Sequence, residues 1–264
     1  MDQYLGLLWL IPLGFLAGAY GTLIGAGGGF VLAPALLLIY PTEASETITS
    51  ISLAVVFFNA LSGTLAYTRA KRINYKAGIS FAAATVPGAV AGALANIAVS
   101  RAKFDRVFGV LLIAAAIFLA LNPGKKAAAS LAQESLDSSD IGKLSTPALF
   151  AGAVLSTIFG FISSFFGVGG GFLYVPALVH LLRFPVHNAT ATSLFILTIT
   201  AFAGNATHVA SGLFHHGIRR AILLAIGAIL GAQIGAALSH RLRGDWIIRG
   251  LVLALALVGL RLLF

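Results

Sequence analysis

Long apolar stretches separated by short polar segments run along almost the whole chain. A membrane-spanning helix needs roughly 20 apolar residues, and several stretches approach or exceed that length. They cover Tyr4 to Ile24, Ile48 to Tyr67, Ile79 to Val99, Phe108 to Leu121, Pro147 to Phe166, Thr190 to Ala210, Ala221 to Ser239 and Ile247 to Phe264. Shorter apolar pieces cover Phe30 to Ile39 and Phe172 to Leu182. The pattern predicts an all-α, polytopic integral membrane protein of about 8–10 membrane segments.

Two glycine-rich runs interrupt these stretches at corresponding places. The first reads LIGAGGGFVLAPAL (Leu23 to Leu36) and the second reads FGVGGGFLYVPAL (Phe166 to Leu178). A shift of 142 positions makes eight of the twelve residues from Gly25 onwards identical, including the glycine triplet, the Phe after it and the Pro-Ala-Leu sequence. A glycine triplet followed at fixed spacing by Phe and Pro indicates an internal duplication.

Further matches extend the duplication beyond the glycine runs. Ser52 and Leu53 correspond to Ser193 and Leu194, and GAVAGA at 88–93 corresponds to GAQIGA at 231–236. These matches predict two homologous membrane repeats, residues 1–121 and 147–264, joined by a polar linker at residues 122–146. Such duplicated halves are the recurrent plan of secondary transporters, with substrate bound at their interface. The charge pattern leaves open whether the repeats are parallel or inverted, and whether the short apolar pieces cross, dip into or lie inside the membrane.

The glycine triplets predict helices that break inside the membrane. Within lipid every backbone N–H and C=O needs an internal partner, so a broken helix end must meet protein or an aqueous cavity. Glycine permits the break because positive φ costs it little. A short helix beginning near Gly29, and its counterpart in the second repeat, would direct N–H groups and partial positive charge at the break, which suits an anion. We therefore expect one anion between the two breaks; the alternative is that the triplets serve only close helix packing.

Other glycines recur at a spacing of four and are typical of helix packing. Small residues at this spacing let helix backbones approach closely in membranes. The pairs predicted to pack in this way are Gly14/Gly18, Gly88/Gly92 and Gly231/Gly235.

The composition agrees with a membrane location and limits the chemistry. Hydrophobic residues make up 59% of the 264 residues and charged residues 9%, which leaves too little polar surface for a water-soluble globule. Cys is absent, which excludes disulfides, thiolate chemistry and cysteine metal sites. We expect no catalytic residue, no metal and no cofactor.

The distribution of charge favours an anionic or neutral cargo. A carrier of cations would be expected to keep a carboxylate near the membrane midplane, yet every acidic residue lies outside the apolar stretches. Lys and Arg collect at helix ends, which favours contact with lipid headgroups and the positive-inside bias over nucleic-acid binding, so we expect no nucleic acid as a partner. The acidic residues are Asp2, Glu43, Glu46, Asp105, Glu134, Asp137, Asp140 and Asp245.

Few polar residues lie inside the apolar stretches. Asn59 and Thr64 lie on one stretch, and Asn205 and His208 lie three residues apart on the matching stretch, on one helix face. Their side chains could donate hydrogen bonds to an oxyanion, or they could only join neighbouring helices. If transport is coupled to protons, His208 or Glu43 and Glu46 are the residues to suspect.

The duplicated GAGGGFVLAPAL and GVGGGFLYVPAL, with the polytopic size, resemble the sulfite exporter TauE/SafE family of membrane transporters. The resemblance covers nearly the whole chain. It implies movement of small sulfur-containing anions such as sulfite, sulfonates or sulfoacetate, in some members coupled to protons. It further implies a protein of the bacterial inner (cell) membrane that is not an enzyme. The alternatives are a passive anion channel and a histidine-dependent membrane enzyme or haem protein.

These arguments together define the expected site and partners. The partners are a small anionic substrate, protons as a candidate co-substrate, membrane lipid, and a second copy of the chain in a candidate homodimer. The expected substrate-binding residues are Gly27, Gly28, Gly29, Phe30, Asn59, Thr64, Gly169, Gly170, Gly171, Phe172, Asn205 and His208.

Overall fold

The computed structural model describes residues 7–121, 146–182, 184–212, 217–239 and 256–263, which are almost entirely helical and contain no β-strand. The helices are α1 (Leu10–Ile24), α2 (Gly29–Ile39), α3 (Ser45–Arg69), α4 (Tyr75–Ile97), α5 (Arg101–Leu121), α6 (Thr146–Phe166), α7 (Gly171–Leu182), α8 (Val186–Ala210) and α9 (Ile218–Leu238). A further helical segment covers 256–263. The all-α prediction is confirmed. The linker expected at 122–146 lies, except for its last residue, outside the described residues.

Helices α3, α4, α8 and α9 are long and apolar enough to cross a membrane. Large apolar side chains stand exposed along them, among them Leu65, Ile79, Phe202 and Leu230. Side chains of this kind suit contact with lipid tails, which are themselves apolar. The prediction of a polytopic membrane protein is confirmed.

The first glycine run reverses the direction of the chain. Gly25, Gly27 and Gly28 have φ angles of 81°, 76° and 77°, in the left-handed region that costs other residues about 1–2 kcal/mol each. After the break the chain returns, so that Gly28 lies against the backbone of Ala17 and Gly21 in α1. Helix α2 is therefore the short arm of a helical hairpin.

The second glycine run produces a similar reversal between α6 and α7. Gly167 and Gly169 have φ angles of 65° and 73°. Past the break, the ring of Tyr174 packs edge-on against Phe159 with centroids 5.2 Å apart, and its hydroxyl donates to the Ser156 carbonyl at 3.1 Å. The sequence left open how the short apolar pieces are placed; both fold back along the helix that precedes them.

The glycines that were predicted to pack do so in two long helix pairs. Helix α1 lies alongside α9, where Gly14 faces the backbone of Leu224, and α4 lies alongside α6, where Gly88 faces the backbone of Thr157. Since each pair takes one helix from residues 1–121 and one from 147–264, the two halves interlock. An added methyl group would likewise meet a facing backbone at Gly18, Gly92, Gly231 and Gly235.

Helices α3 and α8 cross at the centre of the molecule in opposite directions. The amide of Asn205 donates to the Leu53 carbonyl at 3.0 Å, whereas the Thr64 and Thr198 hydroxyls pair at 3.1 Å. Later residues of α3 thus meet earlier residues of α8. The segments that match in sequence therefore run antiparallel, although the division into two homologous repeats stays a prediction.

Candidate functional site

The two glycine breaks lie against each other in the protein interior. Gly29 faces the carbonyl groups of Gly167 and Val168, and Gly171 faces the backbone of Gly25 and Ala26. Helices α2 and α7 begin at Gly29 and Gly171. The positive ends of the two short helices therefore approach each other at this contact, which we call the break contact and define as residues 25–30 and 167–172.

Two buried serines tie the breaks together reciprocally. The Ser52 hydroxyl of α3 donates to the Gly167 carbonyl at 2.6 Å, and the Ser193 hydroxyl of α8 donates to the Gly25 carbonyl at 2.9 Å. Each serine bonds to the break of the other half. These two residues were missed as site residues although they match in the sequence repeat, because a matched serine inside a helix does not reveal which carbonyl it reaches.

Apolar side chains pack closely on the break contact. Val56 of α3 packs on Gly29 and Gly169, and Leu197 of α8 packs on Gly27. A methyl group added at any of these three glycines would collide with these side chains or with the facing backbone. The triplets therefore make close packing possible, which was the alternative interpretation, and they also create the broken helix ends.

The predicted site residues of the glycine runs take different places. Gly27, Gly28, Gly29, Gly169, Gly170 and Gly171 are all buried within the break contact. Phe30 is also buried, with its ring 5.9 Å from that of Tyr20. Phe172 lies in the first turn of α7, and only its backbone is described.

Asn59 and Thr64 lie on α3, beyond Val56. Asn59 is fully buried, and its Oδ1 accepts from the Thr22 hydroxyl at 3.2 Å, while its Nδ2 has no protein partner. Thr22 lies in the last turn of α1, just before the first break. Asn59 therefore offers an unused donor about one helical turn from the break contact, whereas the Thr64 hydroxyl is paired with Thr198.

Asn205 and His208 lie near the end of α8. The Nδ2 of Asn205 donates to the carbonyls of Leu53 and Ala201 at 3.0 and 2.9 Å, which leaves its Oδ1 without a partner. Both ring nitrogens of His208 are buried and also lack a protein partner. The free atom of Asn205 is thus an acceptor, which does not suit the oxyanion donor role expected from the sequence.

Two further buried polar residues near the second break were not anticipated. The Nδ2 of Asn96, in the last turn of α4, donates to the Phe165 carbonyl at 2.8 Å, and its Oδ1 has no partner. The Ser164 hydroxyl is buried without a partner and lies against Gly204 of α8. Asn96 closes an apolar stretch and Ser164 precedes a glycine run, so neither position alone signals a site.

The acidic residues suspected of proton coupling lie at the far end of α2 from the break. Glu43 forms an ion pair with Arg220 of α9 at 2.8 Å, and the Arg220 guanidinium also lies 4.2 Å from the ring centroid of Tyr40. Glu46 accepts a hydrogen bond from Ser45 at 3.4 Å. Glu43 therefore joins the end of the first hairpin to the second half of the chain.

Comparison with known proteins gives a consistent result. The family model described as sulfite exporter TauE/SafE matches residues 10–262. The probable membrane transporter protein YunE of Bacillus subtilis is 33% identical over 97% of this chain and 96% of its own length. A probable membrane transporter protein of Methanocaldococcus jannaschii is 28% identical over 88% of this chain and 86% of its own length. No solved structure shows a significant match.

Proposed function

Because this chain belongs to the sulfite exporter TauE/SafE family and is a membrane transporter rather than an enzyme, we propose that it is a secondary transporter of small sulfur-containing anions of the sulfite, sulfonate or sulfoacetate type. The family description supports the substrate class. The two glycine breaks are in direct contact in this structure, so the anion binds between them when the two hairpins move apart. The location is the bacterial inner membrane.

The mutual approach of the two breaks is the observation that carries this proposal. Two short helices begin at one buried place, and a helix N-terminus attracts anions through its N–H groups and its dipole. The unpaired Nδ2 of Asn59 adds a side-chain donor about one turn away. A buried Lys or Arg would cost at least about 2.5 kcal/mol at the midplane, so neutral donors provide the attraction at a lower cost and release the anion more easily.

The antiparallel crossing of α3 and α8 supplies a route to alternating access. Sequence-matched segments that run in opposite directions give inverted-topology repeats, which commonly exchange roles as a transporter opens to either side. Ser52 of α3 bonds to the second break, and Ser193 of α8 bonds to the first break. Each of these two central helices is therefore coupled to the hairpin of the other half. Movement of one hairpin would therefore be transmitted to the other half.

Counterflow in proteoliposomes tests the transport activity and its substrate class together. Vesicles loaded with unlabelled sulfoacetate or sulfite should transiently accumulate the labelled anion against its gradient. Vesicles loaded with acetate should not accumulate the labelled sulfur anion. Protein-free vesicles prepared in parallel serve as the control. Flux without accumulation would indicate a passive anion channel, and accumulation of acetate as readily as of the sulfur anions would contradict the substrate class.

A further inference from the structure

Most of the buried polar side-chain atoms that lack a protein partner in the described chain belong to four residues near the second break. They are Asn96 Oδ1, Ser164 Oγ, Asn205 Oδ1 and the two ring nitrogens of His208. Asn96, Ser164 and His208 are completely buried, and Asn205 is half-buried. Native proteins leave few such atoms unpaired. Their concentration in one region is therefore typical of a place that holds a bound ion or ordered water.

Contacts to α3 bring these residues from three different helices to one region. Asn96 of α4 bonds to Thr49, and Asn205 of α8 bonds to Leu53, which lies one helical turn further along α3. The contact of Ser164 with Gly204 brings in the end of α6, and His208 lies one turn beyond Gly204 on α8. We call Asn96, Ser164, Asn205 and His208 the acceptor cluster.

The hydrogen bonds of the two asparagines determine what the cluster can bind. Each Nδ2 donates to a backbone carbonyl, at Phe165 for Asn96 and at Leu53 and Ala201 for Asn205. A carbonyl can only accept, so the amide orientation is set and both Oδ1 atoms remain as acceptors. Two amide oxygens held in this way attract a cation and repel an anion. An ion bound here would therefore be opposite in charge to the anion expected at the break contact.

We propose that the acceptor cluster is a binding site for a monovalent metal cation. Asn96 Oδ1, Asn205 Oδ1 and Ser164 Oγ are its oxygen ligands. His208 lies on the same face of α8 as Asn205, but imidazole is a ligand typical of transition metals rather than of Na⁺ or K⁺. The cluster lies at the C-terminal end of α6, where the helix dipole places partial negative charge, and ends of broken helices commonly coordinate ions in transporters. The three oxygen ligands are all neutral, which suits a single charge, because divalent cations usually recruit carboxylates.

The corresponding positions of the first half are paired differently. Thr22, 142 positions before Ser164, donates to Asn59, and Tyr67, 141 positions before His208, directs its hydroxyl to the Thr22 carbonyl at 3.4 Å. The polar atom left over there is the donor Nδ2 of Asn59. The first half therefore presents a donor and the second half presents acceptors.

The use of the bound cation to drive anion transport rests on the proposed function, whereas cation binding itself does not.

Thermal unfolding of the purified full-length protein tests cation binding without any substrate. NaCl is exchanged for choline chloride at constant ionic strength, and KCl is titrated in the same way. The midpoint should rise saturably with Na⁺ or K⁺. Ser164→Ala should weaken the cation affinity about tenfold or more, a loss seen even when outer partners of a metal ligand are removed. Since the Ser164 hydroxyl has no protein partner, this substitution breaks no hydrogen bond of the fold.

Ser50→Ala is the matched control, because Ser50 is buried but bonds to the Thr47 carbonyl of its own helix. It should keep the wild-type response to the cation. Equal midpoints in choline and in both metal salts would overturn the proposal, as would a cation response that Ser164→Ala leaves unchanged. Loss of cation stabilisation together with normal counterflow of sulfoacetate would reject the coupling role and leave the proposed function standing. Stabilisation by Na⁺ in a protein that shows no counterflow would reject the proposed function and leave the cation site standing.

Discussion

Glycine is needed for different reasons at neighbouring positions of the two breaks. Gly28 combines a φ of 77° with close contact to the Ala17 carbonyl, whereas Gly170 has an ordinary φ and only a tight contact with Phe159 and Ser163. A side chain at Gly28 therefore meets strain and collision together. Gly170 experiences only crowding.

We predict that Gly28→Ala destabilises the protein much more than Gly170→Ala. Strain of about 1–2 kcal/mol at positive φ adds to about 1–3 kcal/mol of overpacking at Gly28, while Gly170 experiences only the second effect. Thermal unfolding in detergent gives the two midpoints, and counterflow of sulfoacetate gives the two activities. Equal destabilisation of the two variants would contradict this difference in backbone strain.

The serines that hold the breaks provide a second prediction at the same scale. Ser52→Ala and Ser193→Ala should each lower the transport rate at least about fivefold, since each removes at least one hydrogen bond with a net value of about 1 kcal/mol from a break carbonyl. Initial rates of sulfoacetate counterflow measure the effect, with Ser50→Ala as control. A similar loss in Ser50→Ala would show that burial of a serine, rather than its bond to the opposite break, matters.

At the scale of the elements, the first hairpin is anchored at both ends. Its tip meets the second break, and its outer end is linked to α9 by the ion pair of Glu43 and Arg220. Arg101 of α5 also donates to the carbonyls of Glu43 and Leu37 at 2.6 and 3.2 Å. The position of α2 is therefore determined by contacts from both halves of the chain.

A double-mutant cycle on Glu43→Gln and Arg220→Gln tests this anchor. The pair is partly exposed, so we expect a coupling free energy of about 1 kcal/mol, reduced at high salt. The unfolding midpoints of the four proteins, measured at low and at high choline chloride concentration, give this coupling free energy. Additive effects of the two substitutions would show that the ion pair does not hold the hairpin.

The sequence predicted the elements better than their directions. Helix starts at Gly29 and Gly171 follow from the glycine triplets because few residues other than glycine adopt left-handed φ cheaply. The reversal of the chain does not follow, since it depends on contacts such as Gly28 with Ala17 that no local pattern encodes. The unpaired acceptor atom of Asn205 was not anticipated either, because only the bonded neighbours of an amide determine which of its atoms remains without a partner.

At the scale of the whole molecule, helices of one half pack along helices of the other half. The pairs are α1 with α9 and α4 with α6. Because α3 and α8 cross in opposite directions, their C-terminal ends lie at opposite ends of the molecule. Ala70, just after α3, and Ser211, just after α8, are both exposed. An inverted arrangement of the two halves predicts that these residues lie on opposite sides of the membrane.

Cysteine labelling measures this arrangement directly, because the chain has no Cys of its own. Ala70→Cys and Ser211→Cys should react with a membrane-impermeant maleimide from opposite sides of oriented vesicles. The unsubstituted protein, which should remain unlabelled, is the control. Labelling of both positions from the same side would contradict the inverted arrangement and favour parallel repeats.

The most direct test of the account is a structure of the full-length protein in lipid with sulfoacetate bound. We predict that the anion lies within one helical turn of the break contact, against residues 27–30 and 169–172, with Asn59 Nδ2 as the nearest side-chain donor. Release of a bound anion is easier from neutral donors, so no Lys or Arg should contact it there. An anion found beside a Lys or Arg cluster, more than one turn from both glycine runs, would contradict the account.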